Sequence, residues 1–149
     1  MDKRGYTSID RYPVVARWRD DVEFTGASIY CFQPYVVSGE AEPPADELII
    51  PQPSLRFNDV DNVGITGRHY TNFTMIGQTC FQPPEKYDQD RYFKDMFEFT
   101  TQALGIPEEK LILHEDSWGG GGNLGACMEF FVDGLELFNQ VYMFYKQTP

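Results

Sequence analysis

Three residues in the first half of the chain could together bind a nucleotide. Arg56 lies near the end of a β-favouring run, where its planar guanidinium can donate paired hydrogen bonds to a phosphate. His69 and Phe73 follow in the next such run, four residues apart, so both side chains point to one face of an ideal strand. The spacing predicts a cation for phosphates beside an aromatic ring for a purine. Because such residues are common in surfaces and cores, the spacing alone also fits a structural role.

A glycine-rich stretch in the second half, Gly119–Gly122, is a further candidate. Backbone without Cβ atoms can approach a ligand closely, as it does in loops that bind phosphate. The stretch lacks the Gly-Lys-Ser/Thr ending of a P-loop, so that interpretation is rejected.

The elements that must position these residues are mostly predicted strands. Leu55–Asn58 and His69–Phe81 are predicted as antiparallel strands joined by a long loop. Asp90–Leu104 carries apolar residues at helical spacing and is closed by Gly105, which predicts one long helix. The pattern favours an α+β fold, an antiparallel β-sheet flanked by helices, over a βαβ fold. The other predicted strands are Leu111–His114, Cys127–Val132 and Leu135–Tyr145, the last two joined tightly at Asp133-Gly134, and surface loops are predicted at Gly39–Asp46 and Gln82–Asp88.

Length and composition predict a single soluble domain over residues 1–149. Hydrophobic residues make up 42% of the chain, enough to bury a core, and the formal charge is −11. A protein that grips nucleic acid by neutralising phosphates normally has the opposite charge. The cysteines are odd in number and widely spaced, which is typical of reduced thiols in a cytoplasmic protein. With no long apolar run and no signal-peptide pattern, we expect no membrane association.

A resemblance to a known family adds to these observations. Arg56, the run Asn58–Gly64, and Arg68-His69 followed by Phe73 resemble motif 2 of archaeal-type alanyl-tRNA synthetases, the strand–loop–strand of the class II catalytic core that holds ATP. The resemblance covers nearly the whole chain in the family's order. Its other segments are Arg11–Asp21 and Gln33–Gly39 in the motif 1 region, Trp118–Cys127 in the glycine-rich pocket segment, and Leu135–Leu137 with Val141–Met143 in the next strand.

The resemblance implies roles for the nucleotide-binding residues. Arg56 would bind the α-phosphate of ATP and stabilise charge as the carboxylate of alanine attacks it. Arg68 and His69 would steady the distal phosphates, and Phe73 would stack on adenine.

The resemblance also implies a small amino-acid pocket. Trp118 would form one wall and Val141 would close the other side, while Gly120 and Gly121 would let the backbone approach the substrate. Cys127 is interpreted as a small residue that lines this pocket. It is not interpreted as a zinc ligand, because no other Cys and no His lies at the spacing that a zinc site requires.

Two carboxylates are candidate ligands for Mg²⁺. Glu136 matches the family's carboxylate and Glu129 is a second candidate, although either residue fits a solvated strand position equally well. On an ideal strand Glu136 points away from Asn139 and Val141, so a bulge is needed for all three to share a face. His114 is interpreted as structural.

Two functions remain open at this level. The first is a core that binds ATP, Mg²⁺ and alanine and forms alanyl-adenylate. The second is a non-catalytic paralogue that acts as a binding or partner-regulating domain. We expect the chain to be truncated before motif 3, which leaves the class II core incomplete. tRNA^Ala would then be reached only through missing domains or a second chain, and a partner chain or a homodimer is possible.

Overall fold

The computed structural model of the chain describes residues 4–33 and 35–148. Met1–Lys3, Pro34 and Pro149 lie outside the described residues. The segment Gln33–Gly39, which resembles part of motif 1, is therefore described only in part.

The chain divides into two compact units, Met1–Glu85 and Lys86–Pro149, and each contains one sheet. The single domain predicted from the sequence stays a prediction. Among the described residues, no helix has the length and apolar character needed to cross a membrane.

The first unit is built on a three-stranded sheet in the order β1-β2-β3. Its strands are β1 (Thr7–Ser8), β2 (Glu47–Leu55) and β3 (Asn72–Cys80). β1 runs parallel to β2, and β3 runs antiparallel to it over the full length of both long strands.

Two prolines in β2 explain why β1 is so short. Backbone groups alternate in direction along a strand, and the N–H of Leu55 faces the β1 side, where it donates to the Thr25 carbonyl at 2.9 Å. The backbone N–H groups of residues 51 and 53 would face the same side, but both residues are prolines and have no N–H. A regular ladder beside β2 therefore cannot continue, and an irregular segment takes its place.

The core of the first unit lies under β2. Leu48 and Ile50 alternate with more exposed residues and are fully buried against Cys31 and Phe32. Burial raises the pKa of the Cys31 thiol to about 12, so this cysteine stays neutral. Cys31 is thus a core residue, as expected of a reduced thiol.

A buried glutamine fixes the irregular segment to β2. Gln52 has 0% exposure, and its side chain makes four hydrogen bonds. Its Oε1 accepts from the N–H of Tyr12 at 2.9 Å and from the Cys31 thiol at 3.4 Å. Its Nε2 donates to the carbonyls of Tyr12 at 3.1 Å and Pro53 at 2.8 Å. Both polar ends of the amide are satisfied, so the burial carries little penalty.

The predicted strand–loop–strand is confirmed, but the predicted strand boundaries were wrong. The run Leu55–Asn58 is the end of β2 and the start of the loop, and the run His69–Phe81 becomes a strand only at Asn72. The N–H of Arg56 donates to the Thr71 carbonyl at 3.0 Å, and beyond this pair the chain turns away. A short 3₁₀ turn (Val60–Asn62) and two glycines of positive φ shape the loop, and no ladder continues there.

The second unit begins with the predicted helix. α1 (Gln89–Glu98) continues as one π-helical turn over Phe99–Ala103, which confirms the run Asp90–Leu104. The Asp88 carboxylate caps its start by accepting the N–H three residues on, at 3.0 Å. Gly105, at φ +70°, follows its end.

The second sheet is an antiparallel meander of three strands. β4 (Leu111–Gly120), β5 (Asn123–Val132) and β6 (Leu135–Lys146) are joined by two-residue turns with positive φ at both positions, Gly121-Gly122 and Asp133-Gly134. The second hairpin was predicted. The first was missed, because the glycine-rich stretch was interpreted as a loop. Gly119 and Gly120 are strand residues that complete β4.

The two faces of this sheet differ. Phe130 is fully buried on one face, where its ring lies 5.7 Å from that of Phe93 in α1. Strand register places the candidate residues Trp118, Cys127, Glu129, Glu136 and Val141 on the opposite face, which we call the outer face. The same face carries His114, Asp116, Gly125 and Asn139.

A β-bulge in β6 puts the carboxylate of Glu136 on this outer face. Phe130 pairs with Phe138, but the next residue of β5, Phe131, pairs with Glu136, so Leu137 is an extra residue. Glu136 could share a face with Asn139 and Val141 only if the strand contained a bulge. The structure contains that bulge.

The predicted α+β class with antiparallel strands and a helix is confirmed. The strands form two three-stranded sheets, one in each unit, and the short parallel pair of β1 and β2 is an addition that the sequence did not indicate. Two residues of β1 are too few to give a readable alternation of apolar and polar side chains.

Candidate nucleotide and amino-acid sites

Arg56 is held in place by contacts within the protein. It follows the last residue of β2, is exposed, and donates from Nε to the Gly26 carbonyl at 2.8 Å. Its guanidinium carbon lies 5.2 Å from the centre of the Phe73 ring. The two terminal amino groups of the guanidinium remain for an anion, and such a pair suits a phosphate.

Phe73 pairs with Ser54 of β2 and lies on the inner face of the first sheet, the face that carries the buried Leu48 and Ile50. The ring is half-buried, and Arg56 covers one of its sides. The sequence predicted the cation and the aromatic ring side by side. In the structure they are stacked, because Arg56 continues the inner face of β2 past its last paired residue.

His69 does not share a strand with Phe73. The predicted common face rested on strand periodicity, and His69 lies in the loop, three residues before β3 begins. This prediction of geometry was wrong. His69 is half-buried, and its Nδ1 is hydrogen-bonded to the Thr66 hydroxyl at 2.6 Å.

Thr66 organises the part of the loop that carries the two other candidate cations. Its hydroxyl oxygen accepts the backbone N–H of Arg68 at 3.2 Å in addition to its bond with His69. The Arg68 side chain is exposed. Because Nδ1 of His69 is engaged with Thr66, Nε2 is the ring nitrogen that can meet a ligand. Sequence analysis missed Thr66, since a threonine in a polar loop gives no distinct signal.

The outer face of the second unit contains the expected pocket residues. The indole of Trp118 folds over Gly120, two residues along the same strand, where an added Cβ would meet Cζ2 of the ring at 2.7 Å. Gly121 and Gly122 have φ of 57° and 79° and form the turn. The glycines therefore serve the indole and the hairpin directly, and the expected close approach of backbone to substrate is not needed to explain them.

Between the predicted pocket walls the middle strand carries its smallest side chains. Gly125 pairs with Trp118, and Cys127 pairs with Val141. Cys127 is buried, and its pKa is raised first by burial and then by nearby carboxylates, so the thiol is neutral. Trp118 and Val141 thus flank two small, buried residues of β5. Gly125 was missed because it lies two residues before the strand predicted at Cys127–Val132, whereas β5 begins at Asn123.

Glu129 forms an ion pair across the outer face. His114 Nδ1 lies 2.9 Å from Glu129 Oε2, with side-chain exposures of 60% and 18%. The Glu129 carboxylate raises the pKa of His114, chiefly through this hydrogen bond. The structural interpretation of His114 is consistent with this contact.

This pair predicts a pH dependence of stability. The folded-state pKa of His114 lies above its ordinary value of 6.5, so the stabilisation is complete below that value and is lost as pH rises through the raised pKa. We expect the urea midpoint of the parent to exceed that of His114→Gln near pH 5.5 and the difference to shrink by pH 8.5. Glu129→Gln should return the NMR-titrated His114 pKa toward its ordinary value. Equal midpoint differences at both pH values would contradict the pairing.

The two predicted Mg²⁺ ligands differ in their fit to a metal. Mg²⁺ commonly takes one or two carboxylates and completes its shell with substrate phosphates and water. Glu136 is exposed on the outer face, and Glu129 on the same face is hydrogen-bonded to His114. Within residues 4–33 and 35–148, no three His, Cys, Asp or Glu side chains are grouped closely enough to hold a metal by themselves.

The chain belongs to the class II tRNA synthetases. The model of the family described as tRNA synthetases class II (A) matches residues 1–144, almost the whole sequence. This agrees with the antiparallel strands and with the strand–loop–strand that carries Arg56 and Phe73.

The relatives that the chain matches are more specific. They include the alanine–tRNA ligases of Methanocella arvoryzae, 57% identical over 100% of this chain and 17% of that protein, and of Methanopyrus kandleri, 52% identical over 99% and 17%. The alanine–tRNA ligase of Pyrococcus abyssi is 50% identical over 95% of the chain and 16% of that protein. The predicted resemblance to alanyl-tRNA synthetases is confirmed, and the chain spans about 17% of the length of these relatives.

Proposed function

We propose that this chain carries the nucleotide- and amino-acid-binding residues of an alanine-activating site. The reaction is attack of an alanine carboxylate oxygen on the α-phosphorus of ATP. The bond from that phosphorus to the bridging oxygen breaks, pyrophosphate leaves, and alanyl-adenylate forms without a covalent enzyme intermediate. Catalysis by such a site depends on positioning and on stabilisation of developing charge.

One observation carries the nucleotide half of the proposal. Arg56 is fixed by the Gly26 carbonyl and by the Phe73 ring, which orients its terminal amino groups for an anion. Preorganised donors stabilise charge without reorganising during the reaction. Arg56 would take the α-phosphate, and the purine would stack on the side of Phe73 that Arg56 does not cover. Arg68 and Nε2 of His69, held by Thr66, would meet the distal phosphates.

The amino-acid half of the proposal rests on the outer face of the second sheet. Trp118 and Val141 flank Gly125 and Cys127, and we place the methyl group of alanine between these two flanking side chains. Gly120 lets the Trp118 indole lie flat against β4. Gly121 would support the same hairpin through its turn geometry.

The proposed reaction uses ATP together with Mg²⁺. Glu136 is the carboxylate we propose for it, and Glu129 is the second candidate. When bound, Mg²⁺ neutralises phosphate charge and helps pyrophosphate to leave.

The charge of the chain limits its proposed partners. A formal charge of −11 opposes a polyanion at long range, so tRNA^Ala would be held mainly by other parts of a longer protein or by a second chain. A partner chain or a homodimer is part of this proposal, as is a cytoplasmic location.

Alanine-dependent exchange of pyrophosphate into ATP tests the proposal. We expect exchange that requires both alanine and Mg²⁺, and glycine or serine should support it less well than alanine. Trp118→Ala should raise the KM for alanine more than the KM for ATP. Nucleotide binding without any exchange would favour a non-catalytic binding domain over the proposed enzyme.

A further inference from the structure

The hydrogen bond between Arg56 and Gly26 determines which nitrogens of the guanidinium can contact a phosphate. A guanidinium can meet a phosphate either side-on, through Nε and one terminal nitrogen, or end-on, through its two terminal nitrogens. Nε of Arg56 already donates to the Gly26 carbonyl at 2.8 Å. Only the end-on approach remains for a bidentate contact.

The Gly26 carbonyl is itself placed by its neighbour, Thr25. Thr25 has 0% exposure and takes part in three hydrogen bonds. Its hydroxyl donates to the Pro13 carbonyl at 3.1 Å, and its N–H donates to the Val14 carbonyl at 2.7 Å. Its own carbonyl accepts the Leu55 N–H at 2.9 Å. The next carbonyl along the chain is the one that binds Arg56.

Pro13 is anchored in turn to the sheet that carries Arg56. The residue before it, Tyr12, makes two hydrogen bonds with the buried side chain of Gln52, four residues before Arg56 in sequence. The segment therefore contacts β2 at two places, at Gln52 between the two prolines and at Leu55 beyond them. A closed set of hydrogen bonds links the strand that carries Arg56 to the carbonyl that orients it.

We propose that Thr25 is a positioning residue for the nucleotide site: its buried hydroxyl holds the Gly26 carbonyl where it fixes Arg56 in the end-on orientation. The inference rests on the proposed function, because it assigns Thr25 a part in ATP binding. Thr25 would touch no substrate and would act only through Arg56.

The Nε–H resonances of ¹⁵N-labelled arginine side chains test this geometry without any nucleotide. The Arg56 resonance is assigned by its loss in Arg56→Lys. In the parent chain its hydrogen exchange should be at least about tenfold slower than that of exposed Arg11, as expected for a hydrogen bond of about 1.4 kcal/mol. Arg19, whose Nε donates to Asp21 at 2.6 Å, provides an internal reference in the same unit. Rapid exchange of the Arg56 Nε–H in the parent would overturn the proposal.

Two variants then test Thr25 itself. Thr25→Val keeps the shape of the side chain and removes the hydroxyl, so the Arg56 signal should lose its protection while the Arg19 signal stays. Thr25→Ser keeps the hydroxyl and should retain both signals. Retention of both signals in Thr25→Val would overturn the assignment. Loss of both signals would also overturn the assignment, because Thr25 would then stabilise the whole unit and would have no specific effect on Arg56.

ATP titrations link the geometry to function. Thr25→Val should weaken ATP·Mg²⁺ binding about 3- to 10-fold, the effect of one ordinary hydrogen bond, and Thr25→Ser should restore it. In an Arg56→Lys background, which has no Nε–H, the same change should cost less than about twofold. Equal losses in both backgrounds would contradict action through Arg56. If the parent binds no ATP but Arg56 is protected, only the proposed function fails; if it binds ATP with Arg56 unprotected, only this inference fails.

Discussion

Replacing Arg56 with alanine is expected to remove most ATP binding while leaving the fold intact. A charge-assisted hydrogen bond to phosphate contributes about 1.5–3 kcal/mol, so affinity should fall roughly 10- to 150-fold. The side chain is exposed and makes one hydrogen bond and one ring contact within the protein. Stability should therefore fall by only about 1 kcal/mol.

Calorimetry with ATP·Mg²⁺ and urea unfolding measure the two effects separately. Arg11→Ala is the matched control, because Arg11 is an exposed arginine of the same unit outside the predicted site. It should change neither quantity appreciably. If Arg56→Ala bound ATP as tightly as the parent, the assignment of Arg56 to a phosphate would be wrong.

Replacing Gly125 with alanine is expected to disrupt the second sheet. A Cβ at this position would overlap the backbone carbonyl oxygen of Tyr142. The overlap arises where β6 has an extra residue. Leu124 pairs with Tyr145 and Ala126 pairs with Tyr142, so two residue steps in β5 correspond to three in β6. A clash with backbone cannot be relieved by a side-chain rotation. The loss in the free energy of unfolding should be about 3 kcal/mol or more.

A neighbouring glycine gives the control for this prediction. Gly119→Ala would place its Cβ 3.6 Å from a methyl carbon of Leu124, an ordinary contact. Urea unfolding should show a small change for Gly119→Ala and a large one for Gly125→Ala. Similar stability of the two variants would mean that the second bulge of β6 is absent.

Sequence patterns predicted the regular elements well and the connections poorly. α1 was predictable because its apolar residues recur at helical spacing between a capping aspartate and Gly105. The Asp133-Gly134 hairpin was predictable because such pairs favour positive φ. β4 was predicted to end at His114, because Glu115, Asp116 and Ser117 interrupt the β-favouring run and the four glycines beyond them suggest a loop. In the structure the strand continues to Gly120, and only the last two glycines turn.

The site was predictable in its residues but not in its geometry. The resemblance identified Arg56, His69 and Phe73, yet strand periodicity misplaced His69 because the loop extends three residues further than expected. The Gly26 carbonyl and Thr25 gave no signal, since their contacts join segments about 30 residues apart and involve backbone groups that every residue has. The bulge that turns Glu136 to the outer face could be stated as a requirement, but only the register showed it.

The central claim is that the ends of β2 and β3 form an ATP site around Arg56 and Phe73. The most direct test is a ¹⁵N-resolved NMR titration of the chain with ATP·Mg²⁺. Saturable shifts, at millimolar ATP or below, are expected for the Arg56 Nε–H and for the backbone amides of Arg68, His69 and Phe73. In Arg56→Ala the amide shifts should require roughly 10- to 150-fold more ATP. If these resonances did not move at millimolar ATP while the chain remained folded, the assignment of this region to ATP would be contradicted.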